Sequence, residues 1–307
     1  MLCVFRASVW PRAVRTDENI YVLEPASGRF SARVAVGQSP QAAVDRVVPG
    51  GTVLLLPGVH TLPATLRLDR EVHVFGRGAA VLCLAEGVEG DVVSATAGSA
   101  TLDGVHIRKG VEASEGGHFG VLVTDGRLRL QACDVESLSQ SCVCVRGAGS
   151  APTLTGCTLH EAYTSSGLIF CEGARGAVLD SHLLRNGYGV AIASGANPRV
   201  SGNRIHDSAH AGVYACDVGT LGRLEDNDIY ENVLAGVVLG TGARPTLASN
   251  KVHGMKGAGV VIVDAGTEGE LDHNDISDND GALGTFRHSD RRPAPASGDF
   301  CFVSHVM

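Results

Sequence analysis

Side chains able to do acid–base or recognition chemistry recur at fixed intervals in the second half of the chain. His160, His206 and His253 are separated by 46 and 47 residues, and Tyr230 falls between the last two. Imidazole titrates near neutral pH and can give or take a proton. A phenol offers both a ring face and a hydroxyl. Two residues before His206, Tyr230, His253 and Ser277 stand Arg204, Asp228, Lys251 and Asp275, alternating in sign. A glycosidase needs two carboxylates about 5–9.5 Å apart, and a calcium site needs clustered oxygen ligands. Asp226 and Asp228 lie close together, and so do Asp272 and Asp275, but Ser249 and Lys251 fall between the two sets. Lys251 would repel a cation there. The nine cysteines include no Cys-x-x-Cys, so a zinc site has no ligand pattern; Cys142 and Cys144, two apart, are expected to share one face of a strand. The reading assigns no catalytic residue, no metal ligand and no cofactor. The cysteines read as small buried hydrophobes of a reduced compartment, which places the chain in cytoplasm or nucleus.

The elements that would position these side chains come from a repeat. Of the 307 residues, 44% are hydrophobic, 5% aromatic and 40 are glycine. That excludes wholesale disorder and favours short strands with tight turns. A net charge of -8 argues against a nucleic-acid partner. The chain has no apolar run long enough for a membrane helix. An apolar residue begins each unit at Leu102, Leu130, Leu154, Leu179, Val200, Leu224, Leu247 and Leu271. Three residues later comes Val105, Cys133, Cys157, His182, Asn203, Asn227, Asn250 or Asn274, and a further apolar residue follows two positions on. A second column begins with glycine in most units, as in Gly189-Val190-Ala191-Ile192 and Gly212-Val213-Tyr214-Ala215. Pro152, Pro198 and Pro245 recur every second unit.

A period near 23 residues, made only of strands and turns, is one coil of an all-β right-handed parallel β-helix. Leucine-rich repeats are the rival, but they need apolar residues where Gly222, Pro245 and Gly269 stand. Roughly ten coils are expected over 38–284, in one domain. Asn203, Asn227, Asn250 and Asn274 are expected to form a structural ladder inside it, because like residues stack at about 4.8 Å. Residues 38–48, with Ala42, Val44, Val47 and Val48, read as a short N-terminal capping helix. Residues 1–37 stay unassigned, and 285–307 read as a flexible C-terminal tail.

The segment 195–282, with its alternating Asn-Arg/Lys-Ile/Val-His and Asp-Asn-Asp-Ile-Tyr coils, resembles the substrate-recognition β-helix of F-box-only proteins. The resemblance implies a non-catalytic scaffold that binds a protein or peptide, as the recognition module of a ubiquitin-ligase-type assembly with ligase subunits as partners. The residues upstream of it do not read as an F-box, nor those downstream as a Cys/His-rich zinc domain. The expected binding face carries His206, Tyr230, His253, Arg204, Asp228, Lys251 and Asp275, all outward, with the four charged residues as a salt-bridge column. The alternative is a carbohydrate-active β-helix enzyme: a polysaccharide lyase, hydrolase or epimerase.

Overall fold

A computed structural model describes residues 13–15, 20–23, 30–111, 117–264, 266–281 and 284–285. Most coils contribute three short strands. One coil runs Arg199–Ser201, Arg204–His206 and Ala211–Ala215, and the next Arg223–Glu225, Asp228–Tyr230 and Ala235–Leu239. Equivalent strands pair in parallel. Val200 lies beside Leu224, Ile205 beside Ile229 and Val213 beside Val237. The first two strands of every coil belong to one large sheet, and the third belongs to a smaller sheet whose ten strands mark ten coils. This is the expected parallel β-helix. Alternation along each strand sends Val200, Leu224 and Leu247 into one continuous core with Ile205, Ile229 and Val252.

The corner between the first and second strand has a fixed construction. Gly104, Ala132, Gly156, Asp180, Gly202, Asp226, Ser249 and His273 all have positive φ, between 47° and 70°. One left-handed residue per coil bends the strand. The next residue points into the bend, and from residue 203 onward it is asparagine. Asn227 Nδ2 donates to Val200 O at 2.9 Å and to Asn250 Oδ1 at 2.8 Å. Its Oδ1 accepts from Asn203 N and Asn203 Nδ2, both at 3.0 Å. Asn250 and Asn274 repeat the pattern at 2.9 Å. Each amide thus satisfies backbone groups in the coil below that the bend leaves unpaired. Cys133, Cys157 and Ser181 hold the same place in earlier coils, and Ser181 N donates to Asn203 Oδ1.

The next corner repeats the device on alternate coils. Asn186, Asn232 and Asn279 accept from Ala162 N, Ser208 N and Met255 N at 3.0–3.1 Å. Their spacing of 46 and 47 residues matches that of the prolines, so the structural unit is a coil pair. Glycine leads the smaller-sheet strands for a steric reason. A Cβ on Gly212 would meet Ile229 Cγ2 at 2.6 Å and Gly236 O at 2.8 Å.

The capping helix spans Pro40–Arg46, with Ser39 accepting from Ala42 N as its N-cap. Ala43, Val44 and Val47 enter the core, while Val48 is exposed. The large sheet begins before this helix. Phe30–Val34 pairs in parallel with Gly51–Leu55 and antiparallel with Ile20–Leu23.

Three sequence expectations need correction, and a fourth falls outside the described residues. At residues 177–184 the inward residues are Val178, Ser181 and Leu183, not Leu179, His182 and Leu184. A one-residue slip sends every side chain to the opposite face, so His182 faces outward. Leu271 is 39% exposed because its coil lies near the end of the described stack. Cys142 and Cys144 do not share a face. The strand begins at Val143, and Cys142 joins the main core while Cys144 packs with Phe119 and Ile169. The tail expected beyond Thr285 lies outside the described residues.

Two substitutions test the corners. Asn227→Leu strips partners from the buried Asn203 N–H and Val200 carbonyl and should cost about 2–4 kcal/mol in urea unfolding. Ser208 Oγ is buried without a partner, so Ser208→Ala should leave stability within about 1 kcal/mol of the parent or raise it. A large loss at Ser208 would contradict the assignment.

Candidate functional site

The second strands of the large sheet carry two outward columns. Register places His106, Asp134, Thr158, His182, Arg204, Asp228, Lys251 and Asp275 in the first. Arg108, Glu136, His160, Leu184, His206, Tyr230, His253 and Ser277 form the second. The expected binding residues therefore do share one face.

Their contacts are diagonal. His160 Nε2 meets Asp134 Oδ1 at 3.0 Å, and His253 Nε2 meets Asp228 Oδ1 at 3.0 Å. Arg204 Nη2 donates to Tyr230 Oη at 2.8 Å. His206 Nε2 is hydrogen-bonded to His182 Nε2. Every ring of the second column thus reaches a first-column residue one coil below. The expected straight salt-bridge column is corrected accordingly: Arg204 turns to a phenol and Asp228 to an imidazole, because rings reach across the pleat where their strand neighbours do not. Lys251 and Asp275 are adjacent in register and exposed.

The rings also stack. Centroids are 4.6 Å apart for His182 and His206, 4.5 Å for His206 and Tyr230, and 5.5 Å for Tyr230 and His253. The last two pairs are within 12° and 17° of parallel. Stacking leaves His206 only 8% exposed, so it presents an edge where a fully outward ring was expected. Its Nδ1 contacts Asp207 Oδ2 at 2.7 Å. Asp207 is the left-handed residue of the following corner, and that bend folds its carboxylate back onto the ring.

Sequence reasoning missed His182 and Asp207. The signal for His182 was present: Val178 lies 24 residues after Leu154 and 22 before Val200, closer to the common period than Leu179 does. Asp207 shows only once the corner geometry is known. Asp226 is the left-handed residue of its coil's first bend and Asp272 directly precedes that residue, His273, two coils on, and among the described residues no three His, Cys, Asp or Glu gather into a metal site.

Electrostatics divides the histidines. The hydrogen bond that His160 donates to Asp134 holds His160 above the ordinary imidazole value and Asp134 below the ordinary carboxylate value. His182 is pushed down, first by burial and then by His206 and Arg204.

A family model described as right handed beta helix region matches residues 91–276, more than half of the chain. The chain belongs to this β-helix family. Comparison with curated proteins gives no match. Among solved structures, the A-module of the Azotobacter vinelandii mannuronan C-5 epimerase AlgE6 is similar over 78% of this chain and 71% of its own, at 19% identity and a TM-score of 0.64. The Geobacillus virus E2 ORF18 protein is similar over 89% of this chain and 69% of its own, at 11% identity and TM-score 0.56. Pectate lyase Pel9A covers 86% and 77%, at 18% identity and TM-score 0.49. The expected ubiquitin-ligase recognition scaffold is corrected here. The family match is to the β-helix region in general, with no support for the F-box-only resemblance, and the similar solved structures, an epimerase module among them, share that fold.

The His160–Asp134 pair has a defined pH window. The raised histidine contributes stability that is full below its unfolded value and lost as pH rises through its folded one. The lowered aspartate contributes stability present above its unfolded value and lost as pH falls through its folded one. Asp134→Asn should therefore cost on the order of 0.2–1 kcal/mol between about pH 4 and 6.5. The difference should vanish in alkaline unfolding curves. A cost that persists unchanged at pH 9 would contradict the ion pair.

Proposed function

We propose that this protein is carbohydrate-active and holds a polysaccharide along the ring strip of its large sheet. The observation that carries the reading is the row His206, Tyr230, His253, stacked coil upon coil with centroids 4.5 and 5.5 Å apart. Polymers built from short repeats suit such a strip, because the coils repeat at about 4.8 Å along the solenoid axis. Sugar C–H faces pack on ring surfaces and edges, while Arg204 and Asp228 offer hydrogen-bond groups alongside. Tyr230 anchors the strip: its ring touches both neighbours and its hydroxyl accepts a hydrogen bond from Arg204. The fold adds support, since it is one shared with an epimerase module that acts on mannuronan. His182 and His206, at the lower end of the strip, supply acid–base groups for a reaction on a bound sugar.

Affinity electrophoresis through gels containing polysaccharide tests the reading. The parent protein should be retarded by one or more glycans. Tyr230→Ala should weaken retardation about tenfold or more, as loss of an anchoring aromatic does at binding surfaces. Tyr230→Phe, which loses only the bond to Arg204, should keep most of it. Unchanged retardation of folded Tyr230→Ala would place glycan binding on another face.

A further inference from the structure

Below Tyr230 the strip changes character, from ring faces to a cluster of nitrogen groups. His182, Arg204, His206 and Asp207 come from two successive coils: His182 from one, the other three from the next. We infer that this cluster is a pH-dependent subsite for an anionic sugar substituent, a carboxylate or a sulfate, in which the His182–His206 pair acts together with Arg204. The inference rests on the polysaccharide reading above and names the substituent that the strip would select.

The argument is one of donors and charge. Asp207 is an exposed carboxylate that accepts from His206 Nδ1 at 2.7 Å, so that nitrogen carries the hydrogen. The tautomer follows from that network. In the neutral pair, His182 Nε2–H then donates to the remaining nitrogen of His206. His182 Nδ1 is left as a bare lone pair, which repels an anion. A single added proton on Nδ1 turns it into a donor with no other change in the network. Arg204 is the next residue in the same column, exposed, and spends one of its five donors on Tyr230. Protonation thus converts a site with one fixed positive charge balanced by Asp207 into one with a net positive charge and two adjacent donors.

The surrounding charges leave that balance in place. On the same strand end, Arg185 is engaged by Glu161 at 2.5 Å. From the coil below come Thr158 in the same column and His160, which is bound to Asp134. From the coil above come Arg204, His206 and Asp207. Two coils above, Asp228 is held by His253. Burial, His206 and Arg204 together hold His182 below the usual imidazole value, so it takes up its proton only on acidification. A bound anion favours the proton in turn.

The test measures binding of dextran, dextran sulfate and polygalacturonate at pH 7.5 and pH 5, by affinity electrophoresis at fixed ionic strength. Both anionic polymers are expected to bind about tenfold more tightly at pH 5, the change expected when a bound anion shifts one linked proton by one pKa unit, and dextran to change little. Gain for one anionic polymer alone identifies the substituent as sulfate or carboxylate. His182→Gln keeps a polar side chain but cannot titrate. It should abolish the pH dependence while its melting curve stays close to the parent. Arg204→Gln should weaken anionic binding at both pH values. A pH-independent preference in the parent, or a tenfold gain that survives in His182→Gln, overturns the subsite. Binding of dextran and anionic polymers alike overturns the subsite and leaves the polysaccharide reading standing. Failure of every glycan to bind overturns both.

Discussion

Each coil from Gly104 to His273 depends on a left-handed residue at its first corner and the side chain that follows it. A strand that bends sharply exposes an N–H and a carbonyl toward the interior, where water cannot pair them. Leaving such groups unmet costs on the order of 1–3 kcal/mol each. The amides of Asn203, Asn227 and Asn250 meet them, and each also bonds the amide of its neighbour. The solution works only when the coils lie in strict register. The ladder therefore does more than repair the bend. It fixes the vertical alignment that the two outward columns inherit.

That inheritance links packing to chemistry. Ile205, Ile229 and Val252 are locked inward, so their strand neighbours on both sides are locked outward. His206, Tyr230 and His253 consequently fall one above another at stacking distance. The second corner adds Asp207, whose left-handed backbone returns its carboxylate to His206. A side-chain cluster spread over neighbouring coils is held by backbone geometry alone, without a loop. This explains how a solenoid of small residues can present a rigid polar strip, and rigidity lowers the ordering cost of binding an extended polymer.

Much of this was legible in the residues. The asparagine spacing gave the coil, and its place between two apolar positions gave the inward direction. The proline spacing of 46 and 47 residues signalled a coil pair, which proved to be the rhythm of a second ladder at Asn186, Asn232 and Asn279. What escaped was whatever depends on a single-residue register. In the 177–184 stretch two leucines follow one another at 183 and 184, and hydrophobicity alone does not say which enters the core. Serine takes the ladder position there, so the asparagine signature is missing, and His182 was set inside. Diagonal pairing escaped for another reason: it depends on side-chain reach across coils, which a column of sequence letters does not contain. Function was the least legible level, because the residue pattern that builds the coil is shared by β-helices of many activities.

Hydrogen exchange measures the central constraint most directly. The amides of Ser181, Asn203, Asn227 and Asn250 donate to asparagine side chains and to no other strand. If the ladder holds the coils in register, peptides spanning these corners should exchange as slowly as the adjoining core strands, through opening of the stack as a unit. Exchange at those four amides as fast as that of solvent-exposed turns, with the strands around them still protected, would contradict the account.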